Sequence, residues 1–303
     1  HQPSAASGFV ARTGVIAETE LQQRDRPATE VGARTCPAEI VGTGSALNEL
    51  ALKHRTDKSS RYHNYAQFYD KILSTLRSED ISLLEVGVGT TTSSAPSSMI
   101  SYGRLYKPGA SLRMWAEYFP HARLIAGIDT QADCVFKEGR VRTALADSRC
   151  SESVARAMTE LDSSQFDFIL DDGLHEQAAQ VETVRTLIGL LAPNGVYMIE
   201  DIRRPKLLLS KLKAFLPERS FHIEPFARLR PKKRLLDSNV ILILPSPEQL
   251  ERVSGCTVAH AITSALAQMD GPIEQAELVA SLPAWELKQS EGVQEPESET
   301  GHP

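Results

Sequence analysis

The stretch "ISLLEVGVG", residues 81–89, decides the fold class. An apolar run of strand length carries one acid, Glu85, near its end, and Gly87 and Gly89 follow, which is typical of a buried strand entering a tight turn. Similar runs recur at "RLIAGIDT", "VRTALAD", "FDFILDD" and "GVYMIED", and amphipathic stretches separate them. Strands that alternate with helices predict an α/β, doubly wound, mostly parallel sheet with helices on both faces.

A second pattern predicts the edge of this sheet. After a Leu-rich helix at about 205–216, "SFHIEPFARL" and "NVILILP" are predicted to be two strands joined by a short link. A short link permits only an antiparallel hairpin, so we expect a seven-stranded sheet with an antiparallel hairpin at its edge. Upstream, the turn "APNG", residues 192–195, is expected to end the helix before the strand "GVYMIED".

Changes of pattern along the chain predict five segments. Residues 1–44 lack a sustained period and are expected to form a loosely organised arm, and residues 45–80 a helical lid that begins at a Ser45 cap. The main domain would follow at 81–246. A C-terminal helical addition is expected at 247–288, and a disordered acidic tail at 289–303.

The composition excludes several classes of protein. The 303 residues are 41% hydrophobic and carry a formal charge of -6, which argues against general nucleic-acid binding. No apolar stretch approaches the roughly 20 residues that span a bilayer, so we expect no membrane partner. The four cysteines show no CxxC spacing, which indicates reduced thiols and a cytoplasmic location. We further expect a homo-oligomer.

Acidic residues stand at the ends of five successive predicted strands. They are Glu85, Asp129, Asp147, the pair Asp171 and Asp172, and the pair Glu200 and Asp201. A single acid of this kind is more often a turn residue or a helix cap than a ligand. Because ligands of open parallel sheets bind beyond the carboxyl ends of the strands, the five together predict a binding site there.

The glycine turn at the first strand argues against a nicotinamide dinucleotide. The third glycine of that fingerprint is replaced by a threonine, and Asp129 lies about twice as far beyond Gly89 as the roughly 20 residues expected. Glu85 would repel a pyrophosphate. A cationic or aminoacyl ligand suits this turn better.

Five motifs together resemble one enzyme class. The motifs "TDKSSRYHNY", "LEVGVG", "SLRMWAEYFPHARLIAGID", "FDFILDDGLH" and "GVYMIED" resemble the class I S-adenosylmethionine-dependent methyltransferases. Within that class they are similar to the metal-dependent sugar O-methyltransferases of macrolide tailoring, of the mycinamicin and demethylmacrocin type. The similarity covers roughly residues 50–204, and it implies a Rossmann-like methyltransferase fold and S-adenosylmethionine as cofactor.

The resemblance also implies a set of cofactor-binding residues. The turn from Glu85 to Gly89 would hold the methionine part, Asp129 the ribose hydroxyls and Asp147 the adenine. Ser148 stands where the family often has Gln. The full predicted set is Lys58, His63, Tyr65, Glu85, Gly87, Gly89, Asp129, Asp147, Ser148 and Asp171. For Lys58, His63 and Tyr65 a solvated capping loop is the alternative.

The carboxylates of Asp172, Glu200 and Asp201 can converge because they end neighbouring strands. Three hard oxygen ligands without clustered Cys or His favour Mg²⁺ or a similar divalent cation over zinc. His175, close behind Asp172, would then be the general base, since its ordinary pKa near 6.5 suits this role. The alternative is that Asp172 caps the next helix and His175 lies on its first turn.

These features predict an S-adenosylmethionine-dependent and metal-dependent O-methyltransferase for a sugar or glycosylated small molecule, in antibiotic biosynthesis. Two alternatives stay open: a catechol-type O-methyltransferase, and a non-catalytic cofactor-binding module. Basic residues near the hairpin allow an anionic acceptor, although a solvated basic face is the commoner explanation. They are Arg203, Arg204, Lys206, Arg228, Arg230, Lys232, Lys233 and Arg234.

Overall fold

A computed structural model describes residues 45–226, 228–230, 233–235, 237–253 and 257–269. The predicted arm at 1–44 and the predicted tail at 289–303 lie outside these described residues, as does Lys232 of the basic link.

The described residues form a large sheet and a small two-stranded ribbon. The strands are β1 (Ser82–Val86), β2 (Leu124–Asp129), β3 (Lys137–Glu138), β4 (Val141–Leu145), β5 (Phe166–Asp171), β6 (Leu191–Ile199), β7 (Arg219–Pro225), β8 (Arg228–Arg230), β9 (Lys233–Leu235) and β10 (Asn239–Pro245). The large sheet has the order β3-β4-β2-β1-β5-β6-β10-β7, and β8 pairs with β9 in the ribbon. Strands β4, β2, β1, β5 and β6 run parallel.

The predicted doubly wound α/β fold is confirmed. Strands β7 and β10 pair antiparallel at one edge, as the short link between them requires. The sheet has eight strands instead of seven because the two-residue β3 pairs antiparallel with β4 at the other edge. The link within the hairpin contains the ribbon β8-β9. Strands this short carry too few residues to show an alternating pattern.

Eight α-helices cover the two faces of the sheet in the described part of the chain. They are α1 (Ala46–His54), α2 (Tyr65–Leu73), α3 (Ala110–Tyr118), α4 (Ser151–Leu161), α5 (Gln177–Leu187), α6 (Pro205–Phe215), α7 (Pro247–Glu251) and α8 (Val258–Gln268). One core contains side chains of α1, α2, α3 and α8, and the other contains those of α4, α5 and α6. None of the helices described here has the length and apolar character needed to cross a membrane.

Side chains of the central strands alternate between these two cores. On β5, beyond the register shift at its start, Phe168 and Leu170 belong to the first core, whereas Ile169 between them belongs to the second. This period of two is the geometry of an extended strand, and burial on both sides explains why the strands are nearly continuous apolar runs.

The N-terminal helices are part of the first core. The Ser45 side chain accepts a hydrogen bond from the backbone N–H of Asn48 at 3.1 Å, so the predicted cap of α1 is confirmed. Phe68 and Ile72 of α2 are fully buried in the same core as α3. The predicted lid segment therefore packs directly on the sheet, and its covering of a cofactor stays a prediction.

The expected turn at "APNG" takes a different form. Helix α5 ends at Leu187 and a 3₁₀ turn follows at Ile188–Leu190. Strand β6 already begins at Leu191, and its pairing with β5 shifts register between Phe166 and Phe168. The Pro and Gly of this stretch thus lie in an irregularity within the strand, where backbone pairing is interrupted.

Phe168 tests the packing of the central strand. Its side chain is fully buried and its ring stacks on Phe119 with centroids 6.1 Å apart. We expect Phe168→Ala to lower the free energy of unfolding by about 3–5 kcal/mol, because the cavity it leaves cannot collapse within a sheet. Leu207→Ala, at a position 43% exposed on α6, is the control and should change it by no more than about 0.5 kcal/mol. Urea unfolding at unchanged slope measures both, and equal effects would contradict this packing.

Candidate functional site

The strand-end acids meet at the carboxyl edge of the sheet, because their strands are neighbours in the order β4-β2-β1-β5-β6. Four of them, Glu85, Asp172, Glu200 and Asp201, lie in one buried group that we call the acid cluster. Glu85 is fully buried and Glu200 is 1% exposed. Buried carboxylates need cations or hydrogen-bond donors, and the structure supplies both.

Lys58 is the cation at the centre of the acid cluster. Its side chain is fully buried, and its Nζ lies 2.6 Å from Asp172 Oδ2, 2.5 Å from Glu200 Oε2 and 3.2 Å from Glu85 Oε1. Burial alone would lower the pKa of Lys58, but the charges of Asp172 and Glu200 outweigh it and hold the pKa well above its ordinary value. Lys58 is therefore an ammonium ion here.

Two tyrosines of α2 donate hydrogen bonds to the acid pair at the end of β6. Tyr65 donates its hydroxyl to Asp201 at 2.5 Å, and Tyr69 donates to Glu200 at 2.6 Å. Tyr65 and Tyr69 are one helical turn apart, so they present both hydroxyls to the same edge. Tyr69 was not among the site residues predicted from the sequence. The i, i+4 spacing of two tyrosines was the signal for a second site residue.

Two histidines contact Asp201 from different sides. His63 Nδ1 lies 3.2 Å from Asp201 Oδ1 and 3.2 Å from the hydroxyl of Ser238. His175 bridges two acids, with Nδ1 3.4 Å from Asp201 Oδ2 and Nε2 3.5 Å from Asp172 Oδ1. Lys58, His63 and Tyr65 are all buried, so the alternative of a solvated loop is wrong.

The pKa of His175 differs strongly from the value assumed from the sequence. Burial acts to lower it, but the carboxylates of Asp172 and Asp201 raise the pKa of His175 to about 10. The pKa of Asp172 is correspondingly held well below its ordinary range by Lys58 and His175, against the effect of burial. In this arrangement His175 carries a proton at neutral pH.

Asp172, His175 and Asp201 form the group with metal-binding geometry. One ligand atom from each lies within 4.8 Å of the others. Ligands of one octahedral Mg²⁺ at about 2.1 Å lie about 3.0 Å apart when cis and about 4.2 Å apart when trans, so these side chains would have to move closer together to bind one ion. Glu200, which was predicted as a ligand with the two aspartates, already receives hydrogen bonds from Lys58 and Tyr69.

The helix-cap alternative for Asp172 and His175 is wrong. Helix α5 begins at Gln177 and its N-cap residue is Glu176, so His175 precedes the helix. The backbone N–H of Asp172 donates to Val86 of β1 at 3.0 Å. The two residues thus lie in the loop directly beyond the strand, where their side chains face the neighbouring strand ends.

The glycine turn is fixed by acids from the next strand. Asp129 Oδ2 accepts hydrogen bonds from the backbone N–H groups of Val88 at 2.9 Å and Gly89 at 3.3 Å. Asp133 was not predicted as a site residue, because it lies neither at the end of a predicted strand nor in a recognised motif. Its carboxylate accepts from the Thr90 hydroxyl at 2.6 Å and from the Thr91 backbone at 2.9 Å.

The remaining predicted cofactor residues lie in different environments. Asp147 is held by Arg149 at 2.9 Å and is partly exposed, and the Ser148 hydroxyl lies 3.0 Å from that of Thr183. Asp171 is buried and accepts from the backbone of Gly173, and burial raises the pKa of Asp171 to about 7. The structure brings Asp129 and Asp147 to the same edge as Glu85, and the roles of all these residues stay predictions.

About half of this chain is similar to curated sugar O-methyltransferases. It is 31% identical over 156 residues to the 8-demethyl-8-(2-methoxy-alpha-L-rhamnosyl)-tetracenomycin-C 3'-O-methyltransferase of Streptomyces olivaceus. That alignment covers 52% of this chain and 36% of the relative. It is 30% identical over 177 residues to the demethylmacrocin O-methyltransferase of Streptomyces fradiae, with 58% and 41% covered. The predicted resemblance is confirmed, and the match spans less than half the length of these relatives.

The chain was also compared with protein-family models and with solved structures. No protein-family model matches the chain. A solved structure of MycE methyltransferase from the mycinamycin biosynthetic pathway, in complex with Mg, SAH and mycinamycin VI, is 24% identical with a TM-score of 0.49, over 67% of this chain and 56% of that one.

Gly87 tests the close contact between the glycine turn and the acid cluster. Its φ is +88°, and a Cβ there would lie 2.1 Å from the Asp172 carbonyl oxygen. We expect Gly87→Ala to cost more than about 3 kcal/mol of stability, because backbone strain and a clash with backbone add. The control is Gly103→Ala, with a φ of +92° and nothing within 4 Å, which should show the backbone cost alone, about 1–3 kcal/mol. Thermal and urea unfolding compare them, and a milder effect at Gly87 than at Gly103 would contradict the contact.

Proposed function

We propose that this chain is an S-adenosylmethionine-dependent and divalent-metal-dependent O-methyltransferase that acts on a sugar hydroxyl of a glycosylated small molecule. The observation that supports this most is the group of Asp172, His175 and Asp201, which lies beside a glycine turn at the carboxyl edge of the sheet. The similarity to sugar O-methyltransferases gives the reaction class.

The residues at the glycine turn fit the proposed cofactor. Glu85 offers a buried carboxylate for an aminoacyl group, beside a turn in which Gly87 and Gly89 both adopt a positive φ. Asp129 has two carboxylate oxygens with about four acceptor positions, and three backbone N–H groups occupy it. A ribose hydroxyl would share these oxygens with the backbone donors and with the Cys134 thiol, which also hydrogen-bonds to Asp129. S-adenosylmethionine would supply an activated methyl group on a sulfonium.

Asp172 and Asp201 would hold the metal, with Glu200 as a further carboxylate beside them and His175 as their neighbour in the same group. Their donors are hard carboxylate oxygens, a set that suits Mg²⁺ and similar cations. The cation would supply Lewis-acid stabilisation of negative charge on the acceptor.

His175 is the proposed base because it is the most exposed of these residues. Its side chain is 33% exposed, whereas that of Asp201 is 5% exposed. An acceptor hydroxyl would lose its proton to a ring nitrogen of His175, and its oxygen would bond to the methyl carbon as the carbon–sulfur bond breaks toward sulfur. The base role requires a neutral ring. The negative charges of Asp172 and Asp201 raise the pKa of His175 and keep its ring protonated. A bound cation beside these two carboxylates would offset their charge and lower the pKa of His175.

The acceptor is proposed by class only. Relatives are named for hydroxyls of rhamnosyl and macrolide compounds, and this chain spans less than half of their length. An anionic acceptor has weaker support, because Arg203 is 75% exposed and faces solvent beside Asp237. A catechol-type acceptor and a non-catalytic module are the outcomes that would replace the proposal.

The first test joins cofactor binding, metal and turnover. We expect calorimetry to show S-adenosylmethionine binding with or without Mg²⁺, because Glu85, the glycine turn and Asp129 are not among the proposed metal ligands. Turnover on the acceptors named for the relatives should need Mg²⁺ and stop in excess EDTA, since without the cation nothing would stabilise the negative charge on the acceptor oxygen and His175 would stay protonated. Full turnover in EDTA would remove the metal from the proposal. Turnover only on a catechol would select that alternative, and binding without any turnover would favour the non-catalytic module.

The second test separates the possible roles of His175. If His175 is the base, the variant His175→Ala should reduce turnover by about 10²- to 10⁴-fold. Its Mg²⁺ dissociation constant should stay within about threefold of that of the unaltered chain. A ligand role would instead weaken Mg²⁺ binding by about tenfold or more. The exposed His121→Ala is the control and should alter neither quantity. A variant with lower thermal stability but the normal rate per folded molecule would assign His175 to the fold alone.

A further inference from the structure

We propose that Lys58 is a built-in counter-ion of the acid cluster, which stabilises the site without a metal and competes with a divalent cation for the same carboxylates. This inference rests on the metal site of the proposed function and adds a residue that tunes metal affinity.

The geometry of Lys58 supports a counter-ion role. An ammonium group has three N–H donors, and Lys58 Nζ faces Glu85 of β1, Asp172 beyond β5 and Glu200 beyond β6. Each acid comes from a different strand end, and the lysine comes from the segment between α1 and α2. One buried charge therefore connects three strands of the sheet to the N-terminal helices.

The sharing of Asp172 supports competition with a metal. Its Oδ2 lies 2.6 Å from Lys58, and its Oδ1 lies 3.5 Å from His175 in the metal-binding group. A divalent cation held by Asp172 and Asp201 would lie near the ammonium of Lys58 and would be repelled by it. Glu200 is bound by Lys58 at 2.5 Å and becomes available to a metal only when that contact loosens.

The test compares Lys58→Met, which removes the charge but keeps a long side chain, with Lys58→Arg, which keeps the charge. Lys53→Met is the matched control, because Lys53 pairs with Glu117 on the surface and carries the same charge. The probe is MgCl₂ alone, titrated by calorimetry, and thermal unfolding is recorded in EDTA and in excess MgCl₂. None of these readouts requires turnover.

In EDTA we expect Lys58→Met to unfold about 6–12 °C below the unaltered chain, because it leaves buried carboxylates without their cation. In excess MgCl₂ it should recover most of this loss, and its Mg²⁺ dissociation constant should be about tenfold lower than that of the unaltered chain. Lys58→Arg should keep the original metal affinity, and Lys53→Met should change neither quantity.

Other outcomes overturn the inference. An unaltered melting temperature in EDTA, or Mg²⁺ affinity that is equal or weaker in Lys58→Met, would make Lys58 a packing residue only. If Lys58→Met does not fold in EDTA, adding Glu200→Gln should restore folding by removing one charge, and failure of that double variant would also count against it. If the unaltered chain binds Mg²⁺ and Lys58→Met binds it no more tightly, only this inference is overturned. If neither the unaltered chain nor Lys58→Met binds Mg²⁺, the proposed metal site itself is overturned.

Discussion

The burial of the Lys58 ammonium among three carboxylates is the interaction on which the site depends. An unpaired charge at this depth would cost several kcal/mol, so the acids and the lysine must fold together. Glu85, Asp172 and Glu200 belong to the sheet, whereas Lys58 belongs to a loop between two helices. Their pairing fixes where the N-terminal helices lie on the sheet. Asp201, next in the chain, adopts a positive φ of 52°, a conformation that its contacts with Tyr65 and the histidines support.

Much of the fold follows from patterns that a single sequence shows. The strand runs "LLEV" and "FDFIL" are apolar because both faces of the sheet are covered, and the short link between β7 and β10 leaves only antiparallel pairing. The eighth strand and the ribbon could not be predicted, because two or three residues carry no period. The bulge in β6 could not be predicted either, since Pro193 and Gly195 look the same in a turn and in an interrupted strand.

The strand ends predict the acids of the site, and the family resemblance predicts Lys58, His63 and Tyr65 as site residues but not their contacts with these acids. The rule that ligands bind beyond the carboxyl ends of parallel strands brings Glu85, Asp172 and Glu200 together from sequence alone. Their partners are not predictable this way, because Lys58 contacts residues 114 and 142 positions away. Tyr69 has the helical spacing of a core residue, and only the three-dimensional contact distinguishes a hydroxyl that serves the site. The pKa of His175 likewise depends on two carboxylates whose distance no motif encodes.

The side chains of the site become more exposed from its interior toward the solvent. The side chain of Lys58 is 1% exposed, that of Asp172 is 14% exposed and that of His175 is 33% exposed. The buried residues can set charge and hold positions, but they cannot meet an acceptor without the outer ones. Under the proposed function, a reacting hydroxyl would therefore approach along His175 and the outer oxygen of Asp172. On that proposal, recognition of the acceptor would belong to the loops around His175, so chains that share the acid cluster could differ in acceptor without any change within it.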